Sequence, residues 1–214
     1  MKLLIFDTET TGLPLSRKPA IEGPNNWPHL VSIAWVIVEN NVITSKHSYI
    51  IKPNGWVIPE DSIRIHGITN YLANAQGSQL DDIMKLFLQQ DYDLLVAHNA
   101  EFDKNVIINA IMWDLNMPFP GFKGPIKCTM NLSKPVCRMP GRFGFKPPKL
   151  SELYYHIFKR HPNKTLLHSA LYDVTALTEC IQHCEWLRHL VAPPVVKGNG
   201  YSPKELSINF IDTT

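Results

Sequence analysis

The 214-residue chain contains no run of 18 apolar residues, so no helix long enough to span a membrane is expected. A secretory leader is not expected either: the apolar run after Met1-Lys2 is interrupted by Asp7 and Glu9 before a hydrophobic core is built. Cysteine is scarce. Cys128, Cys137, Cys180 and Cys184 include no Cys-x-x-Cys pair, so a disulfide framework is not expected and the thiols read as reduced, in a cytoplasmic compartment. Cys180, His183 and Cys184 have metal-ligand chemistry, but they fall in a helical pattern with no second pair, which favours packing over zinc. There is no internal repeat and no sign of a second domain. The expected organisation is one domain over 1–190 and a Pro/Gly-rich tail or arm over 191–214.

Nor is there a strong overall charge. A net +2 names no partner, but its distribution does more. Between Phe119 and Lys164 stand ten basic residues and one acid, Glu152, a local +9, which leaves −7 on the rest of the chain. A basic segment beside an acidic one suits a polyanion held by the lysines and arginines and cut at the acids; a merely solvated basic face is the plainer alternative.

What the chain does have begins at Leu3-Leu4-Ile5-Phe6, a short apolar run suited to a strand buried on both faces. Asp7 and Glu9 follow, one residue apart, so along a strand they share a face. Neighbouring carboxylates repel unless a cation sits between them, and hard divalent cations take carboxylate oxygens. Two solvated acids at a strand end would explain the pair equally well.

Downstream, Pro14–His29 reads as a loop. Leu30–Val38 and Val42–Lys52 read as a hairpin turning at Asn40-Asn41. Gly67 marks a turn or helix end, Leu80–Leu88 has helical spacing, and Asp93–Val96 is a short apolar strand. A helix is expected over Glu101–Trp113, a last strand over Ile126–Met130, loop over Met139–Pro148, a helix over Leu150–Phe158 and one long helix over Leu171–Leu190. Strands followed by alternating strands and helices make an α/β pattern, with sites expected just beyond the strand ends.

Two further stretches carry chemistry. Ala97-His98-Asn99-Ala100-Glu101-Phe102-Asp103 puts Asp103 near a helix start, where the helix dipole alone would favour a carboxylate. In His168-Ser169-Ala170-Leu171-Tyr172-Asp173, the two ends would sit about 140° apart if both were helical. They can share a site only if His168 lies in the loop ahead of the helix, with Ser169 as N-cap. Asp173 stands in an apolar segment, where a carboxylate is costly unless paired or metal-bound.

Asp-x-Glu-Thr-Thr-Gly, His-Asn-Ala-x-Phe-Asp and His-x4-Asp, in that order, resemble the three motifs of the DEDDh (DnaQ-like) 3′→5′ exonucleases, over roughly Lys2 to Leu187. The resemblance implies a ribonuclease H-like fold, a five-stranded mixed sheet with helices on both faces. It implies that Asp7, Glu9, Asp103 and Asp173 hold two divalent metals. An all-oxygen set favours Mg²⁺, with Mn²⁺ able to substitute. His168 is implied as the general base, His168 rather than a tyrosine preceding the last Asp. By the same resemblance Thr10 meets the terminal 3′-hydroxyl with its backbone N–H, Leu13 wedges against the last base, His66 lines the base pocket, and Asn99 and Phe102 lie by the terminal nucleotide. The plainer alternatives are core packing for Leu13 and Phe102 and an ordinary loop histidine for His66. Arg142 and Lys146, interleaved with Phe143 and Phe145, have the composition of a single-strand clamp.

Two features depart from the pattern: the long Pro14–His29 loop, and the strand Val31–Trp35, which lacks the acid commonly found there. The expected activity is removal of nucleoside 5′-monophosphates from single-stranded DNA 3′ ends, with a polymerase as a possible partner. Trimming of RNA ends, or a non-catalytic nucleic-acid-binding module on the same fold, are the rival readings.

Overall fold

A computed structural model describes residues 1–163 and 168–193. Its centre is β1 (Lys2–Thr10), longer than the apolar run because Asp7 and Glu9 belong to the strand itself. β1 pairs antiparallel with β2 (Leu30–Glu39), which pairs antiparallel with β3 (Val42–Ile50). On its other side β1 runs parallel to β4 (Leu94–Ala97), and β4 to β5 (Ile126–Cys128). The sheet order is β3-β2-β1-β4-β5, the mixed five-stranded sheet that the motifs imply.

Alternation along β1 builds two cores. Leu3 and Ile5 face one side, under α6 (Leu150–Phe158), α7 (Ala170–His183) and α8 (Glu185–Val191). Leu4 and Phe6 face the other, under α3 (Leu80–Gln89) and α4 (Ala100–Asn109). Two small helices, α1 (Glu60–His66) and α2 (Asn70–Gln76), lie between β3 and α3. Asp7 and Glu9, being odd-numbered, continue the α7 face beyond the apolar run. β4 pairs with β1 only through Ile5, so on the β4 side β1 has no strand beside it from Phe6 onward among the described residues. Between Glu9 and Thr10 the β1–β2 register slips by one residue, a bulge of the kind that re-aims side chains beside sites.

Several expectations are corrected. The helix read as Leu171–Leu190 is two: Cys184 is extended (φ −108°, ψ 105°) and turns α8 back so that Leu187 and Val191 reach the core. Both segments have helical periodicity, so the pattern runs across the bend. The Ile126–Met130 strand stops at Cys128, and Thr129–Cys137 is a helix, α5, which carries Pro135 within it. The Met139–Pro148 loop contains a hairpin, β6 (Met139–Gly141) with β7 (Gly144–Lys146). The Glu101–Trp113 helix is α-helical only to Asn109. A wider turn follows, in which Leu115 N–H donates to the Ala110 carbonyl at 3.0 Å. α2 was missed because it is short and polar; Thr69 Oγ1 caps it, accepting from Leu72 N–H at 3.1 Å. α8 ends at Val191, and 194–214 of the expected tail lie outside the described residues. Among the described residues no helix is long and apolar enough to cross a membrane, and all four cysteines are unpaired. Cys180 and Cys184 pack in the α7-side core while His183 lies outside it.

Candidate active site

Three carboxylates meet where β1 ends beneath the start of α7. One oxygen each from Asp7, Glu9 and Asp173 lies within 4.8 Å of the others. Asp173 reaches the cluster because α7 begins at Ala170, in the first turn beyond the core-facing end of β1. Burial pushes the Asp7 carboxyl well up, with the charges of Asp103 and Glu9 adding to it. Burial, then Asp173 and Asp103, push Glu9 up to about 9. Asp173 is raised to about 6 by burial, with the neighbouring His168 acting in the opposite direction. Asp173 Oδ1 is buried and has no hydrogen-bond partner. Three oxygen donors that cannot all stay ionised together, one carrying an orphaned oxygen, fit a hard divalent cation. A cation there would reverse the sense of each shift.

Asp103 is not in that triangle. It stands on α4, on the other side of β1, and is only 3% exposed. Its Oδ1 accepts from Thr8 N–H at 3.1 Å and from Thr8 Oγ1–H at 2.7 Å. Those donors are available because β4 has already ended, leaving the main chain of β1 open at Thr8. Burial raises Asp103 to about 7, against the hydrogen bonds from Thr8. Alternation puts Thr8 on the face opposite Asp7 and Glu9, and nothing in its neighbours marks it as the residue that seats Asp103.

His168 satisfies the condition set by the sequence. It lies in a turn ahead of Ser169, the N-cap of α7, with φ +67° and its side chain exposed. Its main-chain N–H donates to Asp173 Oδ2 at 3.3 Å, which holds the residue at the edge of the cluster. The Ser169 hydroxyl makes no capping bond; its carbonyl accepts from Asp173 N–H at 2.9 Å.

The expected substrate contacts fall in two groups. Thr10 is buried, and its Oγ1 donates to the Gly12 carbonyl at 2.7 Å. His66 Nδ1 accepts from Ile68 N–H at 3.0 Å, which places the proton on Nε2. That Nε2–H is buried against the main chain of Thr10, whose hydrogen bond works against the lowering of this imidazole by burial. Leu13 is 81% exposed, which removes the core-packing alternative for it. Asn99 is exposed in the left-handed conformation (φ +79°) and makes the sharp turn from β4 into α4. Phe102 packs on the α4-side core under Trp27, with ring centroids 5.8 Å apart. Arg142 and Lys146 lie apart from these, on the β6–β7 hairpin.

Sequence reasoning also missed the residues that hold the surrounding loops. His98 joins three segments: Nδ1 lies 2.9 Å from Thr129 Oγ1 and Nε2 2.9 Å from the Pro148 carbonyl. Burial holds this imidazole down to about 4, so it is neutral; Nε2–H donates to Pro148 and Nδ1 accepts from Thr129. The long loop after the first motif is pinned on both sides of Ala20. Ala20 N–H donates to Asn105 Oδ1 at 2.8 Å, and the Ala20 carbonyl accepts from Trp113 Nε1–H at 2.7 Å.

Residues 4–181 match the family model described as exonuclease (RNase T). The chain belongs to this family, the DEDDh 3′→5′ exonucleases of the ribonuclease H-like superfamily. Among similar exonucleases, the 3′-5′ exonuclease DinG of Bacillus subtilis is 29% identical over 154 residues, 71% of this chain and 15% of that protein. DNA polymerase III subunit epsilon of Buchnera aphidicola is 32% identical over 108 residues, 50% of this chain and 43% of that one. The chain thus spans less than half the length of both curated relatives. Exonuclease X, solved in complex with 5′ overhanging duplex DNA, is 27% identical with a TM-score of 0.56, covering 89% of this chain and 97% of that one. Exonuclease I of E. coli shares the fold at 18% identity, with a TM-score of 0.63 over 85% of this chain and 40% of that one.

Proposed function

We propose that the protein is a metal-dependent 3′→5′ exonuclease that acts on single-stranded DNA ends and releases nucleoside 5′-monophosphates. The observation that carries this reading is the convergence of Asp7, Glu9 and Asp173 to within 4.8 Å, with the main-chain N–H of His168 donating to Asp173 at its edge. Asp7, Glu9 and Asp173, with Asp103 completing the oxygen donors, hold divalent cations, two Mg²⁺ in this reading. When bound, such a pair supplies charge stabilisation to the attacking and leaving oxygens of an in-line displacement. His168 takes the proton of the attacking water as its oxygen bonds to the terminal phosphorus. The bond from phosphorus to the 3′-oxygen of the penultimate nucleotide breaks, and that oxygen takes a proton from solvent to become the new 3′-hydroxyl.

Thr10, Leu13, His66, Asn99 and Phe102 position the terminal nucleotide. His66 stands against the main chain of Thr10, and the exposed Leu13 presents an apolar surface to a base. The names of the DNA polymerase subunit and of exonuclease X favour DNA over RNA, and the former makes a polymerase a candidate partner. Four unpaired thiols fit a reducing, cytoplasmic compartment.

The test is digestion of matched 5′-labelled DNA and RNA oligonucleotides, with Mg²⁺ or EDTA, by wild type and Asp7→Ala. A Mg²⁺-dependent ladder shrinking from the 3′ end, absent in the variant, is expected, with DNA degraded faster. Faster loss of RNA would move the substrate to RNA ends. Binding without cleavage of either would leave a non-catalytic module.

A further inference from the structure

The β6–β7 hairpin is fastened at its base and bare at its tip. At the base, Met139 packs on the α7-side core and His98 holds the Pro148 carbonyl. Lys146 Nζ lies 2.5 and 2.7 Å from the two oxygens of Glu152, which also accepts from Lys149 N–H at 2.7 Å. Lys146 is therefore a brace, its charge spent on the only acid between Asp114 and Asp173. His98 follows β4 directly, so the hairpin rises from the same end of the sheet as the carboxylate cluster.

The tip is built differently. Gly144 takes φ +97°, the left-handed conformation that lets a turn close with ordinary residues at its apex, and those residues are Arg142 and Phe143. Phe143 is 91% exposed and Phe145 half exposed. A guanidinium lies over each ring, Arg142 at 5.1 Å from the Phe143 centroid and Arg138 at 6.0 Å from that of Phe145. Neither arginine meets a carboxylate among the described residues. Two open aromatic faces, each with an unneutralised cation beside it, match the pairing of base stacking with phosphate contact that sequence-tolerant single-strand binding uses.

We propose that this hairpin is a stacking arm for the single strand behind the terminal nucleotide. Phe143 and Phe145 take base faces, Arg138 and Arg142 take phosphates, and Lys146 with Glu152 sets the angle of the arm. The inference rests on the exonuclease reading for where the strand enters. It gives the protein a length requirement, because a strand too short to reach the hairpin loses the arm's contribution.

The experiment is fluorescence anisotropy with 5′-labelled oligothymidylates of about three and about twelve nucleotides, in EDTA so that nothing is cleaved, across a salt series. The full chain is compared with Phe143→Ala and Arg142→Ala after their melting temperatures are matched. Wild type should bind the longer strand at least about tenfold more tightly. Phe143→Ala should cut that advantage about tenfold, in the range of one lost base–aromatic stack. Arg142→Ala should lower the slope of log K against log salt by about 0.7, one single-strand phosphate. An advantage equal to wild type in both variants, or no binding by wild type, overturns the arm and leaves the tip to a protein partner. Loss of cleavage with the length advantage intact would sink only the exonuclease reading.

Discussion

Replacing Asp7 with Asn should stabilise the metal-free protein while abolishing its function. At pH 7 the cluster forces three carboxylates to within 4.8 Å of one another, all partly buried. With an effective dielectric near 20, two unit charges at that separation repel by roughly 3 kcal/mol. Part of this is relieved by proton uptake, as the raised Glu9 and Asp7 require, so relief of about 1–2 kcal/mol is expected from Asp7→Asn. For a chain of this size each kcal/mol moves the melting temperature by about 2–4 °C. In EDTA the variant should therefore melt about 2–8 °C above wild type. Mg²⁺ at about a hundred times its dissociation constant adds about 2.7 kcal/mol to wild type, or about 5–10 °C, and should add little to the variant. Differential scanning fluorimetry with EDTA and a Mg²⁺ titration reads both quantities. A variant less stable than wild type in EDTA, with its Mg²⁺ shift intact, would refute the assignment of the cluster as a repulsive metal site.

Replacement of His168 by Ala should lower exonuclease turnover by about 10²–10⁴, the usual worth of a general base, and leave the Mg²⁺-induced melting shift unchanged; a loss of both would make the residue structural. Thr8→Val removes the 2.7 Å hydrogen bond to Asp103 and keeps the side-chain shape, so urea denaturation should show a loss of about 1–3 kcal/mol, with turnover falling as Asp103 loosens. An unchanged urea midpoint would show that the backbone N–H alone seats the carboxylate. The neutral, buried His98 links stability to pH. Its folded-state value of about 4 lies below the ordinary 6.5, so the unfolded chain binds the extra proton between those values. Its contribution of about 3 kcal/mol is whole above pH 6.5 and lost as pH falls toward 4. The raised carboxylates act in the opposite direction, so the difference between wild type and His98→Gln at pH 7.5 and 4.5 isolates it. Equal pH dependence in both would contradict a neutral His98 in the folded protein.

The site was legible in the sequence where its chemistry lies in local spacing. Asp7 and Glu9 share a face because a strand alternates, and His168 precedes its helix because Pro162 and Ser169 mark a loop and a cap. What was not legible depends on where neighbouring elements stop. Thr8 seats Asp103 only because β4 pairs with β1 no further than Ile5. His98 reads as part of a motif and acts as a clip between β4, α5 and the Pro148 loop. Helical periodicity ran through Cys184 without a break, since a bend between two amphipathic helices leaves the apolar spacing of each intact.

By itself the sequence determined the two-sided burial of β1, the hairpin that follows it and the shared face of Asp7 and Glu9, because these follow from periodicity and residue chemistry over a few positions. Only the tertiary structure decided that Asp103 stands outside the closest triangle, that Ala20 is held from both sides by Asn105 and Trp113, and that Lys146 is spent on Glu152 while Arg142 and Phe143 stay open. Those outcomes depend on contacts between segments tens of residues apart, and a side chain's spacing along the chain carries no information about which distant partner will neutralise it.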